Sequence, residues 1–410
     1  MPAGQLELVE TGVESTSSAF GYGRRYLARP NAVPIDPVSL PLSSAPGEEI
    51  MHRSKHPIFG AVRDAAPDFW GRRVIEARLR IPPDSIPESV YLLHAGPHRF
   101  GALDFRPALD SRETGGVLPP ITDLAHLVEA ADRVQQGEPV PEHLEPIFAG
   151  SSMGGARPKA LVIHHGEQWL AKLPAKNDGY NVPVVERACL ELARHAGLDV
   201  PPTDLQPLAD GRSVMLIERF DRRAAGGGFT RRHAVSALTL LAKDEHQSLG
   251  TRYAEIANRI GHFGVDGHVQ ADRSELFGRA AFNILVSNDD DHLRNHAFLW
   301  DAAGKGWRLS PLYDVVPRPQ VVLERFLHLS VGPKGRLATL DNLLEDHGAY
   351  GLMKPDAAAI IDRVAKVTRE WRVYFEQLGV PASECAKVAA AFRRPREIGM
   401  DIVERVLHGH

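Results

Sequence analysis

Residues 283–300 read NILVSNDDDHLRNHAFLW. Ile284, Leu285 and Val286 lead into three consecutive aspartates. His292, Arg294 and Asn295 follow, and the stretch closes on the apolar residues 297–300. Crowding three carboxylates between two apolar elements costs free energy unless cations or hydrogen bonds compensate. The pattern predicts a helix over 274–287, a loop carrying the charges, and a strand after Asn295. A second strand around 307–309 makes a hairpin, and Asp314 follows it in Tyr313-Asp314-Val315.

Asp290 and Asn295 stand five apart, the spacing of a protein-kinase catalytic loop. There the aspartate accepts the proton of the substrate hydroxyl and the asparagine holds Mg²⁺. Mg²⁺ is satisfied by one or two protein oxygen ligands plus phosphate oxygens, so Asn295 and Asp314 suffice as its protein ligands. His292 and His296 are four apart, the zinc-binding spacing of a helix. With a strand expected after Asn295, they are read instead as residues that brace the loop.

Three further signals precede this stretch. Residues 148–161, FAGSSMGGARPKAL, contain Gly150, Gly154 and Gly155 with Ser151 and Ser152, a loop whose amides can approach phosphates closely. It is no Walker A loop, since Ala156 stands where the lysine would be. Lys172 ends an apolar strand, 168–173, and Glu186 lies on the next helix, 184–196. A strand lysine paired with a helix glutamate is the kinase arrangement for the α- and β-phosphates. Residues 215–222, MLIERFDR, run from a strand into a polar segment. Glu218 and Phe220 there are candidates to meet adenine.

The chain has 410 residues, enough for two or three packed units. Apolar residues make up 43% and charged residues 24%, and the formal net charge is −4, which excludes a generally basic, nucleic-acid-coating surface. Cys189 and Cys385 are too few and too far apart for a disulfide framework or a zinc site. No apolar run is long enough to span a bilayer and no leader is visible, so a cytoplasmic protein is expected. Three segments are expected: an α+β region over 1–140, a strand-strand-helix-strand unit over 141–225, and a helical region over 226–410. Residues 20, 22, 26 and 27 are read as one strand, 89–103 as a strand pair and 124–134 as a helix. Pro67 is placed in the first turn of a helix beginning after Ala66. Strands are read at 159–164 and 213–218, and helices at 233–241, 253–263, 355–378 and 382–391.

GSSMGGARPKA, AKLP, ERACLELARHAG, IERFDRR, NDDDHLRNHAF and LSPLYDVVP, in this order, resemble the HipA family of serine/threonine-protein kinase toxins. FGYGRRYLARPNAVPIDPVSLPL and IFGAVRDAAPDFWGRR resemble that family's N-terminal region. The resemblance implies an α+β fold: a two-lobed, atypical, phosphoinositide-kinase-like architecture with an added N-terminal subdomain and a helical C-terminal lobe. It implies ATP and Mg²⁺ as cofactors, Asp290 as the base, and Asn295 and Asp314 as metal holders. It implies nucleotide contacts from Ser152, Met153, Gly154, Gly155, Ala156, Arg157, Lys159, Lys172, Glu186, Glu218, Phe220, His292, Asn295, Tyr313 and Asp314. It also implies autophosphorylation at Ser152, with Ser151 adjacent. As partners it implies a small helix-turn-helix antitoxin like HipB, through which alone DNA is bound, and a protein substrate such as an aminoacyl-tRNA synthetase. One departure is local: the loop reads Gly-Ala-Arg-Pro-Lys where some toxin members have Gly-Ala-Gln-Glu-Lys. The alternatives are a catalytically silent, ATP-binding co-repressor, a metal-dependent hydrolase built on residues 289–292, and a kinase of the same fold with a non-protein substrate.

Overall fold

A computed structural model describes residues 2–42, 51–111, 117–150 and 155–409. Ser151, Ser152, Met153 and Gly154 lie outside the described residues. The chain divides into two compact units, residues 1–177 with 206–235 and residues 178–205 with 236–410. Helix Val182–His195, read with the strands around it, thus groups with the second unit. No helix among the described residues is long and apolar enough to cross a membrane.

The first unit begins with an antiparallel sheet of β1 (Gly4–Thr11), β2 (Glu14–Tyr22) and β3 (Met51–Arg53). The strand does not continue through Tyr26 and Leu27 as expected, because Arg24–Leu27 form one helical turn. Tyr22 and Tyr26 stack across that turn, and their hydroxyls donate to the carbonyls of Leu40 (2.6 Å) and Val33 (2.7 Å). The proline-rich stretch is thereby pinned, with one β-bridge, Asp36 to Leu40, inside it.

Two helices, Gly60–Ala65 and Phe69–Leu79, flank Pro67. Pro67 therefore precedes the cap residue Asp68 and is not in the first turn. The expected strand pair over 89–103 is instead the helix Glu88–His94 followed by irregular chain. Tyr91 is buried there, and its hydroxyl donates to Glu76 at 2.5 Å. Burying that tyrosine on one helical face outweighs the strand preference of its neighbours, because tertiary packing overrides propensity.

β4 (Lys159–His164), β5 (Glu167–Lys172), β6 (Thr203–Pro207) and β7 (Ser213–Glu218) form a sheet in the order β4-β5-β7-β6; the division between the units falls within β6. In the register Ala160 faces Ala171 and Val162 faces Trp169. These four side chains share the core with Trp70, Val74, Leu127, Val128, Val214 and Leu216. Successive side chains alternate faces, so Lys159, Leu161, Leu170 and Lys172 occupy the other face. A short hairpin, β8 (Arg222–Ala225) and β9 (Gly228–Arg231), follows.

In the second unit, helix Val269–Val286 packs against Tyr253–Phe263 and Lys354–Arg369. It is buried from Leu276 to Val286. β11 (Ala297–Asp301) and β12 (Gly306–Leu309) are an antiparallel pair, and the division between the units falls within β10 (Ala234–Ser236). The expected helix 233–241 is β10 followed by one turn, Ala237–Leu240. Ser236 caps that turn by accepting from Thr239 N at 3.3 Å. The expected helix 355–378 is broken at Glu370 into Lys354–Arg369 and Trp371–Gln377.

Candidate active site

The second unit carries the aspartate loop. Helix Val269–Val286 ends at Ser287, which takes a left-handed conformation at φ 52° that a residue with a Cβ rarely adopts. Ser287 is held there from two sides: its hydroxyl donates to Ala391 O at 2.7 Å and accepts from Arg325 Nη1 at 2.5 Å. The chain then turns through His292 N to Asp290 O (2.8 Å) and Asn295 N to His292 O (2.9 Å).

The three aspartates do different things. Asp291 is buried and accepts from His296 Nε2 at 2.9 Å, from Asn283 Nδ2 at 2.8 Å and from the Tyr253 hydroxyl. Burial pushes its carboxyl up, but the nearby His296, its hydrogen bond and that of Tyr253 outweigh this and hold it below the ordinary carboxylate value. Burial raises the Asp289 carboxyl; Arg318 acts against that rise and Asp290 adds to it. Asp289 meets Arg318 Nε at 3.3 Å and accepts from Gln320 Nε2 at 2.5 Å. Asp290 stands at the exposed tip, its side chain 53% accessible, and meets Arg318 Nη2 at 2.5 Å.

Asn295 is buried and donates its amide to Asp290 O at 3.1 Å. That bond uses the nitrogen end of the side chain and turns the amide oxygen the other way. The Tyr313 hydroxyl donates to Arg294 O at 2.6 Å, tying the segment before Asp314 to the residue before Asn295. Asp314 itself has φ 59°, a conformation that costs a non-glycine residue roughly 1–3 kcal/mol. An amide oxygen and a carboxylate are a donor set that suits Mg²⁺. His292 lies edge-on to His328, ring centroids 5.9 Å apart. Glu186 is buried on the helix Val182–His195.

The first unit carries the glycine and lysine features. Lys159 and Lys172 are directly opposite in the β4–β5 register and share a sheet face. Like charges so placed repel. Gly155 has φ 118°, a conformation L side chains rarely adopt, and a Cβ there would lie 2.2 Å from Lys159 Nζ, which would have to move aside. Ala156 and Arg157 connect the two. Trp70 holds this turn: its backbone N–H donates to Gly155 O at 3.4 Å and its indole N–H to Lys159 O at 2.8 Å.

Glu218 pairs in register with Trp169, which puts it on the opposite sheet face from Lys159 and Lys172. Its carboxyl is raised by burial and by Glu167. Phe220 packs edge-on to Phe100 at 6.4 Å. Between them, buried Arg219 turns back to Asp221 (2.8 Å) and to the carbonyls of His98 and Arg99. Lys172 and Glu186 belong to different units, and their pairing stays an expectation.

Sequence reasoning missed Asp291 as the buried anchor, together with Tyr253, Arg318 and Trp70. The buried-anchor role had a faint signal in His296, which is separated from Asp291 only by the loop itself. Arg318 and Trp70 had none, because both act on residues distant in the chain.

The sequence model of the family described as HipA-like C-terminal domain matches residues 151–371, more than half of the chain. A Sinorhizobium fredii protein named "Putative kinase Y4mE" is 27% identical over 367 residues, covering 78% of this chain and 77% of that protein. A Haemophilus influenzae "Putative kinase" is 27% identical over 202 residues, which are 44% of this chain and 57% of that protein. Among solved structures, HipA of Shewanella oneidensis, determined with HipB and operator DNA, superposes with a TM-score of 0.67 at 18% identity, covering 99% of this chain and 95% of HipA. The expected α+β, kinase-like architecture is therefore the one observed, and the chain belongs to the HipA-like family.

Proposed function

We propose that this chain is an ATP- and Mg²⁺-dependent serine/threonine protein kinase, the toxin of a HipA-type toxin–antitoxin pair. The observation that carries the reading is the division of labour in residues 289–291. Asp291 is consumed in holding the loop and Asp289 is half-buried against Gln320, whereas Asp290 stands at the accessible tip, where its partner is the half-exposed Arg318.

Asp290 accepts the proton of a substrate serine or threonine hydroxyl as the new oxygen–phosphorus bond forms. The bond between the γ-phosphorus and its bridging oxygen breaks and ADP leaves. Asn295 and Asp314 hold Mg²⁺, which when bound neutralises the triphosphate. Lys172 and Lys159 add positive charge to the phosphates, and the turn from Gly155 offers backbone amides. Catalysis is then positioning and electrostatics, with no covalent intermediate on the protein.

The kinase names of the relatives support the reaction class. The HipA complex with HipB and operator DNA supports a small helix-turn-helix antitoxin as partner, with DNA reached through it. A cytoplasmic chain, a translation protein such as an aminoacyl-tRNA synthetase as substrate, and autophosphorylation at Ser152 or Ser151 complete the proposal. The test is Asp290→Gln assayed with radiolabelled ATP. Transfer to protein is expected to be lost while ATP still binds, and transfer at the wild-type rate would overturn the assignment. Mass spectrometry of the wild-type reaction reads Ser151 and Ser152 directly.

A further inference from the structure

We infer that Trp70 is a positioning residue for the phosphate-binding turn, so that nucleotide affinity depends on a helix outside the matched family domain. The inference rests on the reading of residues 155–159 as that turn. Trp70 sits in the first turn of helix Phe69–Leu79, where backbone N–H groups have no partner within the helix. Its N–H is directed at Gly155 O, and its indole N–H reaches Lys159 O, 89 residues away in sequence. One buried side chain and its own backbone thus clasp both ends of a five-residue turn.

The consequence follows from peptide geometry. In a planar trans peptide, the carbonyl of one residue and the N–H of the next point in opposite directions. With Gly155 O aimed at Trp70, Ala156 N–H is aimed away from the helix. At the other end Leu173 N donates to Pro158 O at 3.0 Å. Three of the turn's carbonyls, those of Gly155, Pro158 and Lys159, are therefore drawn into the protein. Ala156 N–H is thereby left directed outward, which is the polarity an oxyanion requires. Fixing Lys159 O also fixes the start of β4, and with it the register that sets Lys159 opposite Lys172.

Trp70→Phe in the full chain removes the indole N–H and keeps an aromatic ring in the core. We expect the Kd for ATP with Mg²⁺, measured by calorimetry, to weaken about tenfold, the loss of one good hydrogen bond's worth of ordering. KM for ATP should rise by the same factor while kcat at saturation holds, the signature of lost binding common to ground and transition states. Without nucleotide, amide exchange across residues 155–160 should quicken in the variant. Val74→Ala is the control: Val74 packs in the same core and its side chain has no group to hydrogen-bond the turn, so the change should lower the melting temperature and leave the Kd unchanged. A Trp70→Phe chain with wild-type Kd and wild-type exchange overturns the inference, as does an equal loss of affinity in Val74→Ala. A wild-type chain that takes up no ATP removes the phosphate reading itself, and the inference with it.

Discussion

Asp291 and Trp70 each hold a functional loop in place, one from inside its own loop and the other from far along the chain. In the second unit the aspartate loop closes on itself. Of the partners of Asp291, Asn283 and His296 lie with it inside fourteen residues, and Tyr253 comes from farther away. In the first unit the glycine turn is clasped by Trp70, 89 residues before Lys159. A loop braced by a buried carboxylate depends on charge and on every partner being present. A turn braced by an indole depends on packing and tolerates change more gradually.

The largest effect should come from breaking the internal brace. Asp291→Ala leaves His296, Asn283 and Tyr253 buried without their acceptor and should cost about 3–5 kcal/mol, read from denaturant unfolding. The same residue gives a pH signature. Its folded value lies below the ordinary one, so its contribution is present above the usual carboxylate range, about pH 4, and is lost as pH falls through the lower, folded value. Asp291→Asn should therefore lose less stability on acidification than the wild type, and an equal loss would assign the acid sensitivity elsewhere.

Next is Asp290→Gln, which leaves the brace intact and should reduce phosphoryl transfer on the order of 100-fold or more with little change in melting temperature. If stability fell as far as it does for Asp291, the two carboxylates would not have separate roles. On the other side, Lys172→Met removes a charge facing Lys159 and should raise KM for ATP on the order of tenfold, because hydrogen bonds to charged groups are the stronger ones. The smallest change belongs to Arg318→Gln. That ion pair is half exposed, and its loss should alter stability by less than about 1 kcal/mol in thermal melts. A larger change would make Arg318 part of the brace.

Much of this was legible in the sequence where chemistry and structure are local. The strands at 159–164 and 213–218 and the helix Tyr253–Phe263 follow from short-range apolar patterning. The aspartate loop was legible too, because its charges, its spacing and the apolar elements around it all lie in residues 283–300. The strand pair read over 89–103 was not, because burial of Tyr91 against Glu76 decided for a helix. Nor was the sheet face of the Glu218 side chain, which is set by its register against Trp169 rather than by its neighbours in sequence.

By itself the sequence determined which residue types stand at which spacing: three aspartates and an asparagine after an apolar helix, and two lysines on neighbouring strands. Tertiary structure alone decided which aspartate is buried and which is left in solvent, and which distant tryptophan closes the glycine turn. Spacing along a chain constrains only groups within a turn or a hairpin of each other. Burial and long-range hydrogen bonds are properties of what packs against those groups, and no local pattern encodes that.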